Sequence, residues 1–179
     1  VSKRKSYYKK HCPTLVEPVK VKVGDKFVTK NGVIQKSERF GYVIPFKQCL
    51  TQLLHLPEVW QYVQNPHVSQ NEYMHDICDG QYLNEHPLFT EDRKALQIIL
   101  NCDDMEIVNP LGSHVKKHKI TMFYFTLANI PAQYRSKLQA IQLLAVCKAQ
   151  DLKSQACEKR LLSDFIESVK ELESVGMNI

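Results

Sequence analysis

From Pro18 to Lys36 the chain reads PVKVKVGDKFVTKNGVIQK, with Val19, Val21 and Val23 alternating with lysines and Asn31-Gly32 standing between two short apolar stretches. Alternation with period two marks a half-exposed strand. Asn-Gly supplies the two positive φ angles of a type I′ turn, so the pattern predicts a β-hairpin in a unit of two or three strands. After Pro45 the period lengthens: Phe46, Cys49, Leu50, Leu53 and Leu54 recur at spacings of three and four, and Val59, Trp60 and Val63 follow Pro57. Two short amphipathic helices are expected, the second opened by its proline. Residues 65–94 are rich in Asn, Asp, His and Gln and keep no period, which predicts an irregular linker or a loop wrapping the surface.

The second half is more regular. Residues 96–100, 120–127 (ITMFYFTL) and 141–147 (IQLLAVC) read as three strands, with apolar residues on both alternating sets. That pattern predicts strands covered on both faces. Asn109-Pro110 and Gly112-Ser113 separate the first two and suit an antiparallel connection through a longer loop. From Cys157 to Val175, Leu161, Leu162, Phe165, Ile166, Val169 and Leu172 share one helical face, and Gly176 stands where a helix would stop. The expected chain is α/β (or α+β). Residues 1–64 form a basic arm, a hairpin and helices, 65–94 form the linker, and 95–179 form three mainly antiparallel strands with a C-terminal helix.

Composition narrows the class. Apolar residues make up 44% and charged residues 24% of the 179 positions, an ordinary balance for a globular domain with a sizeable core. No window approaches the roughly 18 consecutive apolar residues of a membrane helix, and the first thirty residues lack the apolar core of a secretory signal. An intracellular protein without a membrane partner is therefore expected. The six cysteines (Cys12, Cys49, Cys78, Cys102, Cys147, Cys157) form no C-x-x-C pair, so free thiols are expected rather than disulfides or a zinc ribbon. Cys147, within IQLLAVC, has no glycine-rich turn beside it and reads as core, not as a nucleophile. His114 and His118 have the i, i+4 spacing of zinc ligands, but no Cys or Glu stands at ligand spacing.

The formal charge of +5 gathers in two runs, SKRKSYYKKH near the start and HVKKHK at 114–119. Lysines interleaved with tyrosines can hold phosphates and stack on bases. Lys3, Arg4, Lys5, Lys9 and Lys10, with Lys116 and Lys117, are thus candidate nucleic-acid contacts, the competing reading being a solvated terminus. Arg135 and Lys137, in AQYRSKL, are further candidates for a phosphate backbone, the competing reading being solvated helix or loop residues. The chain begins at Val1, which suggests a fragment or a processed product.

One stretch remains. LQIILNCDDMEIVNPLG, residues 96–112, ends an apolar run in two adjacent acids, Asp103 and Asp104. Aspartate is a poor strand former and is rarely buried without a partner, so the pair reads as a strand cap or as a chemical site. The words DD-x-E-I-x-NPLG, HK-x5-YF-x-L-x-NIP and YRS-x-L, preceded by CDGQYLNEHPLF and followed by a helix ending ELESVG, resemble transposon-derived proteins similar to cut-and-paste transposases of the CACTA/Plavaka kind. The likeness spans about residues 41–179.

The resemblance implies a ribonuclease H-like catalytic domain, which opens with three antiparallel strands and a helix and carries the first of three metal-binding carboxylates on its first strand. Asp103 would be that acid, with Asp104 the second choice. Such sites hold two divalent ions, Mg2+ or Mn2+, on hard oxygen ligands. The remaining two carboxylates would follow the last helix, beyond Ile179. The expectation is therefore a transposase-derived, DNA-associated, nuclear protein that is not catalytically competent alone and takes up metal only if completed downstream. The alternative is an interaction module whose incomplete sheet is covered by a protein partner or by a second copy.

Overall fold

The computed structural model describes residues 15–66, 73–107, 119–152 and 154–178. Five strands, β1 (Val19–Lys30), β2 (Val33–Val43), β3 (Ile98–Glu106), β4 (Lys119–Leu127) and β5 (Gln142–Lys148), form one antiparallel sheet in the order β1-β2-β5-β4-β3. Seven α-helices occur among the described residues: α1 (Phe46–Leu54), α2 (Pro57–Gln64), α3 (Gln81–Glu85), α4 (Pro87–Glu91), α5 (Ala132–Arg135), α6 (Gln155–Leu161) and α7 (Ser163–Val175). No helix of the described residues is long and apolar enough to cross a membrane.

The fold class is mixed α/β, as expected, but the strand count is not. The hairpin does not stand apart from the three later strands; β2 pairs with β5, so that the sheet has five strands among the described residues. The turn forms as its dipeptide demands, with Asn31 at φ 52° and Gly32 at φ 76°. The ladder then runs from Lys30↔Val33 back to Val19↔Val43, with a bulge between Lys22 and Gly24. The strands are longer than alternation alone predicts, because the I′ turn sets a register that polar residues can continue.

Two compact units divide the described chain. The first gathers the described residues of Val1–Gln52, Asp103–Met122 and Leu144–Asn178. Its core includes Val23, Val43, Phe46, Leu50, Leu144, Ala145, Cys147, Cys157 and Leu161. Helix α6 packs on the root of β1: Arg160 donates from Nη1 to the Val23 carbonyl at 3.3 Å. Ser154 caps α6 by accepting the Cys157 N–H. Asp164, in the first turn of α7, accepts the Phe46 N–H at 3.1 Å and so satisfies one of the orphan donors that open α1. Phe165 meets Phe46 edge to face at 4.9 Å.

The single helix expected over Cys157–Val175 is corrected to two. Leu162 leaves helical geometry (φ −96°, ψ 9°) between α6 and α7. The two pieces answer different surfaces: Leu161 closes over Gly41, whereas Phe165 lies against Phe46. Gly176 ends α7 at φ 75°, as its position predicts.

The second unit comprises Leu53–Cys102 and Phe123–Leu143. It buries Leu54, Val59, Val63, Phe125, Leu127 and Ile130. Within residues 65–94, where no element is predicted, α3, α4 and a 3-10 turn at Ile77–Asp79 appear. They are too short to show a hydrophobic period. The expectation that all three later strands are covered on both faces fails for β3, which has no buried residue and stands last in the strand order.

Burial lifts the thiols of Cys49 and Cys147 above the ordinary cysteine range, and both are free. Gly41 is closely packed within the first unit. A Cβ there would lie 2.5 Å from Leu161 Cδ1 and 3.3 Å from the Val146 carbonyl. Gly41→Ala is expected to cost about 1–3 kcal/mol by overpacking, read as a lower urea midpoint. The loss should shrink when Leu161→Ala is already present; an unchanged cost in that background would remove the contact as the cause.

Candidate nucleic-acid interface

Asp103 and Asp104 lie inside β3, not at its end, because the strand continues to Glu106. An exposed strand face accepts polar side chains, so the ladder outlasts the apolar run that suggested its limit. Both acids are exposed. Asp103 accepts the Asp104 N–H at 2.8 Å, and Asp104 accepts the Thr121 hydroxyl of β4 at 2.6 Å. Successive residues of a strand point to opposite faces, so the two carboxylates do not converge on one ion. Among the described residues no group of three or more His, Cys, Asp or Glu side chains could hold a metal. These residues therefore do not fit a two-ion site for Mg2+ or Mn2+.

The basic runs fall elsewhere. Lys3, Arg4, Lys5, Lys9, Lys10, Lys116 and Lys117 lie outside the described residues, as do His114 and His118. Arg135 is described, and it is turned inward within the second unit. Its guanidinium makes a bidentate pair with Asp76, Nη1 to Oδ1 at 2.9 Å and Nη2 to Oδ2 at 2.6 Å. Nε donates to the Ile130 carbonyl and Nη2 to that of Ala128. With side-chain exposures of 13% and 12%, the pair is largely withdrawn from solvent. Four of the roughly five N–H groups of a guanidinium are thereby engaged, which leaves Arg135 no fork to offer a phosphate.

Asp76 is as fully employed. Its carboxylate accepts the Ile77 N–H at 2.7 Å, and Asp79 accepts the backbone N–H groups of His75 and Asp76 at 2.8 and 3.0 Å. This is a capping box at the start of a 3-10 turn. The signal was present as two aspartates three apart, but the partner 59 residues away was not.

Beside this pair lies a cleft of about 380 Å³ lined in part by His75, Asp76, Cys78, Gln97 and Asn129. Asn129 ties the chain together there, accepting the Gln97 N–H and donating to the Ala95 carbonyl. A Cys, a His and an Asp in one cleft invite comparison with a nucleophile set. Burial, followed by the Asp76 and Asp79 carboxylates, holds the Cys78 thiol above its usual range, and Asp76 already serves Arg135. An attacking thiolate needs the opposite environment.

The Asp76–Arg135 pair is therefore structural. Arg135→Ala is expected to destabilise the chain by about 3–5 kcal/mol, since it strands a carboxylate and two carbonyls. Arg135→Lys should lose much of that too, because an ammonium cannot reproduce the fork. A urea titration checks both, and a stable Arg135→Ala variant with weakened DNA binding would reverse the assignment. No protein-family model matches the chain, and no curated protein or solved structure matches it.

Proposed function

We propose that the chain is a transposase-derived, DNA-associated protein that does not cleave DNA by itself. The observation that carries the reading is local topology. Asp103 and Asp104 stand on β3, the strands β3, β4 and β5 are neighbours in chain order, and helices α6 and α7 follow. That succession is consistent with the opening of a ribonuclease H-like domain, the fold implied by the sequence resemblance. The lack of independent catalysis rests on the two acids facing opposite sides of their strand. DNA association rests on the charge of +5 and its lysine-tyrosine clustering.

A second reading, in which a protein partner or another copy covers the sheet, draws on the exposure of Leu100, Met105 and Ile107 on and after β3. A concentration-dependent oligomer in sedimentation, without DNA affinity, would favour it.

The test is fluorescence anisotropy on a labelled duplex across a salt series. Affinity is expected to fall steeply between about 50 and 200 mM salt. Neutralising Lys3, Arg4, Lys9 and Lys10 together should flatten that dependence by up to roughly 0.9 in log-log slope for each phosphate left without its cation. A flat titration at low salt would remove the DNA reading, and a Mg2+-dependent nick abolished by Asp103→Asn would overturn the claim that the chain lacks catalysis.

A further inference from the structure

We infer that the outer half of the β1–β2 hairpin is a groove-docking ribbon for duplex DNA. The inference rests on the reading of the chain as DNA-associated and adds the element that makes the contact.

The first observation is exposure. All residues from Phe27 to Lys36 are exposed, while the root of the same hairpin is buried at Val23, Gly24, Gly41 and Val43. The strand pairing nevertheless continues through Val28↔Gln35 and Thr29↔Ile34 to the turn. A two-stranded ribbon standing in water is marginal by itself, so this arm is held from its root and presents both faces to solvent.

The second observation is charge. The outer segment reads KFVTKNGVIQKS from Lys26 to Ser37, with lysines at 26, 30 and 36 and no acid. The flanking acids, Asp25 and Glu38, are neutralised at the root: Lys22 pairs with Asp25 at 2.9 Å and Glu38 at 2.7 Å, and Lys36 reaches Asp25 at 3.2 Å. Lys26 and Lys30 have no carboxylate within pairing distance among the described residues.

The third is the apolar content of the tip. Phe27 is 75% and Ile34 71% exposed, and the register puts them on one face of the ribbon, diagonal across the Thr29↔Ile34 and Phe27↔Lys36 pairs. Large apolar side chains this exposed on a basic arm suit an occupant that is anionic outside and apolar inside. Duplex DNA is such a surface. Strands about 4.8 Å apart make a ribbon narrow enough for a major groove about 12 Å wide. Lysines meet the phosphate walls, and apolar side chains can pack on the thymine methyl groups that the major groove presents. A second copy fits less well, because two tips would set lysines against lysines with no acid between them.

The experiment uses the full chain, a labelled duplex of about 20 base pairs, long enough to span roughly two helical turns, and two sets of substitutions on the arm, each checked by circular dichroism. Lys26→Gln, Lys30→Gln and Lys36→Gln together should weaken binding at about 50 mM salt by roughly tenfold or more and lower the log-log salt slope by roughly 2–3. Phe27→Ser with Ile34→Ser should weaken binding with the slope unchanged, since an apolar contact releases no counterion. Unaltered chain that binds while both variant sets bind equally well would overturn the ribbon and leave DNA association standing. Unaltered chain that binds no duplex would take both away. Binding to vesicles containing phosphatidylserine but not to duplex, or a dimer that the tip substitutions dissolve, would also overturn the ribbon in favour of a membrane or a second copy.

Discussion

A three-residue seam holds the first unit together. Gly41, Tyr42 and Val43 of β2 pair with Cys147, Val146 and Ala145 of β5, and the Ile44 N–H extends the contact to the Leu144 carbonyl at 2.8 Å. Leu161 of α6 comes down over this seam so closely that position 41 has no room for a Cβ. The hairpin root, β5 and α6 therefore share one packed point, with Val43, Leu144 and Leu161 each 3% exposed or less. An interior this dense transmits displacement instead of absorbing it. The long exposed arm of the hairpin depends on that anchorage, since its outer residues bury nothing of their own.

Charged residues do two different jobs in this chain, and the type of residue does not tell which. Arg135 and Asp76 close on each other within the second unit, where the planar guanidinium meets a carboxylate and two carbonyls at once. Arg39 does something similar in the first unit, its Nε standing 3.7 Å from the buried Asp151 without a hydrogen bond between them. Lys30, by contrast, is exposed and Lys26 half-buried, and neither has an acid in reach among the described residues. An arginine in a loop-like AQYRSKL and a lysine in an alternating strand look equally basic in one dimension. Burial separates a structural cation from one free to meet a phosphate.

The candidate site was legible only in part, for the same reason. Asp103 and Asp104 were conspicuous because acids interrupt an apolar run, yet the run was a poor guide to the strand's limit. Cross-strand pairing with β4 and an exposed face carried the ladder on to Glu106. That shift decides the chemistry, because two neighbours within a strand look in opposite directions, whereas at a frayed tip they are free to turn together. Asp76 escaped notice because its meaning depends on a partner far along the chain.

What the chain determined by itself is what depends on near neighbours: the Asn-Gly turn, the helices after Pro45, the stop at Gly176, and the existence of β4 and β5. Backbone preference and hydrophobic period act over a few residues and survive in any context that permits them. The tertiary structure alone decided that the hairpin joins the later strands, that β3 stands last in the order, that the terminal helix breaks at Leu162, and that Arg135 turns inward. Each of these turns on which surfaces meet and how much water they exclude, and that quantity is not defined until distant segments have packed.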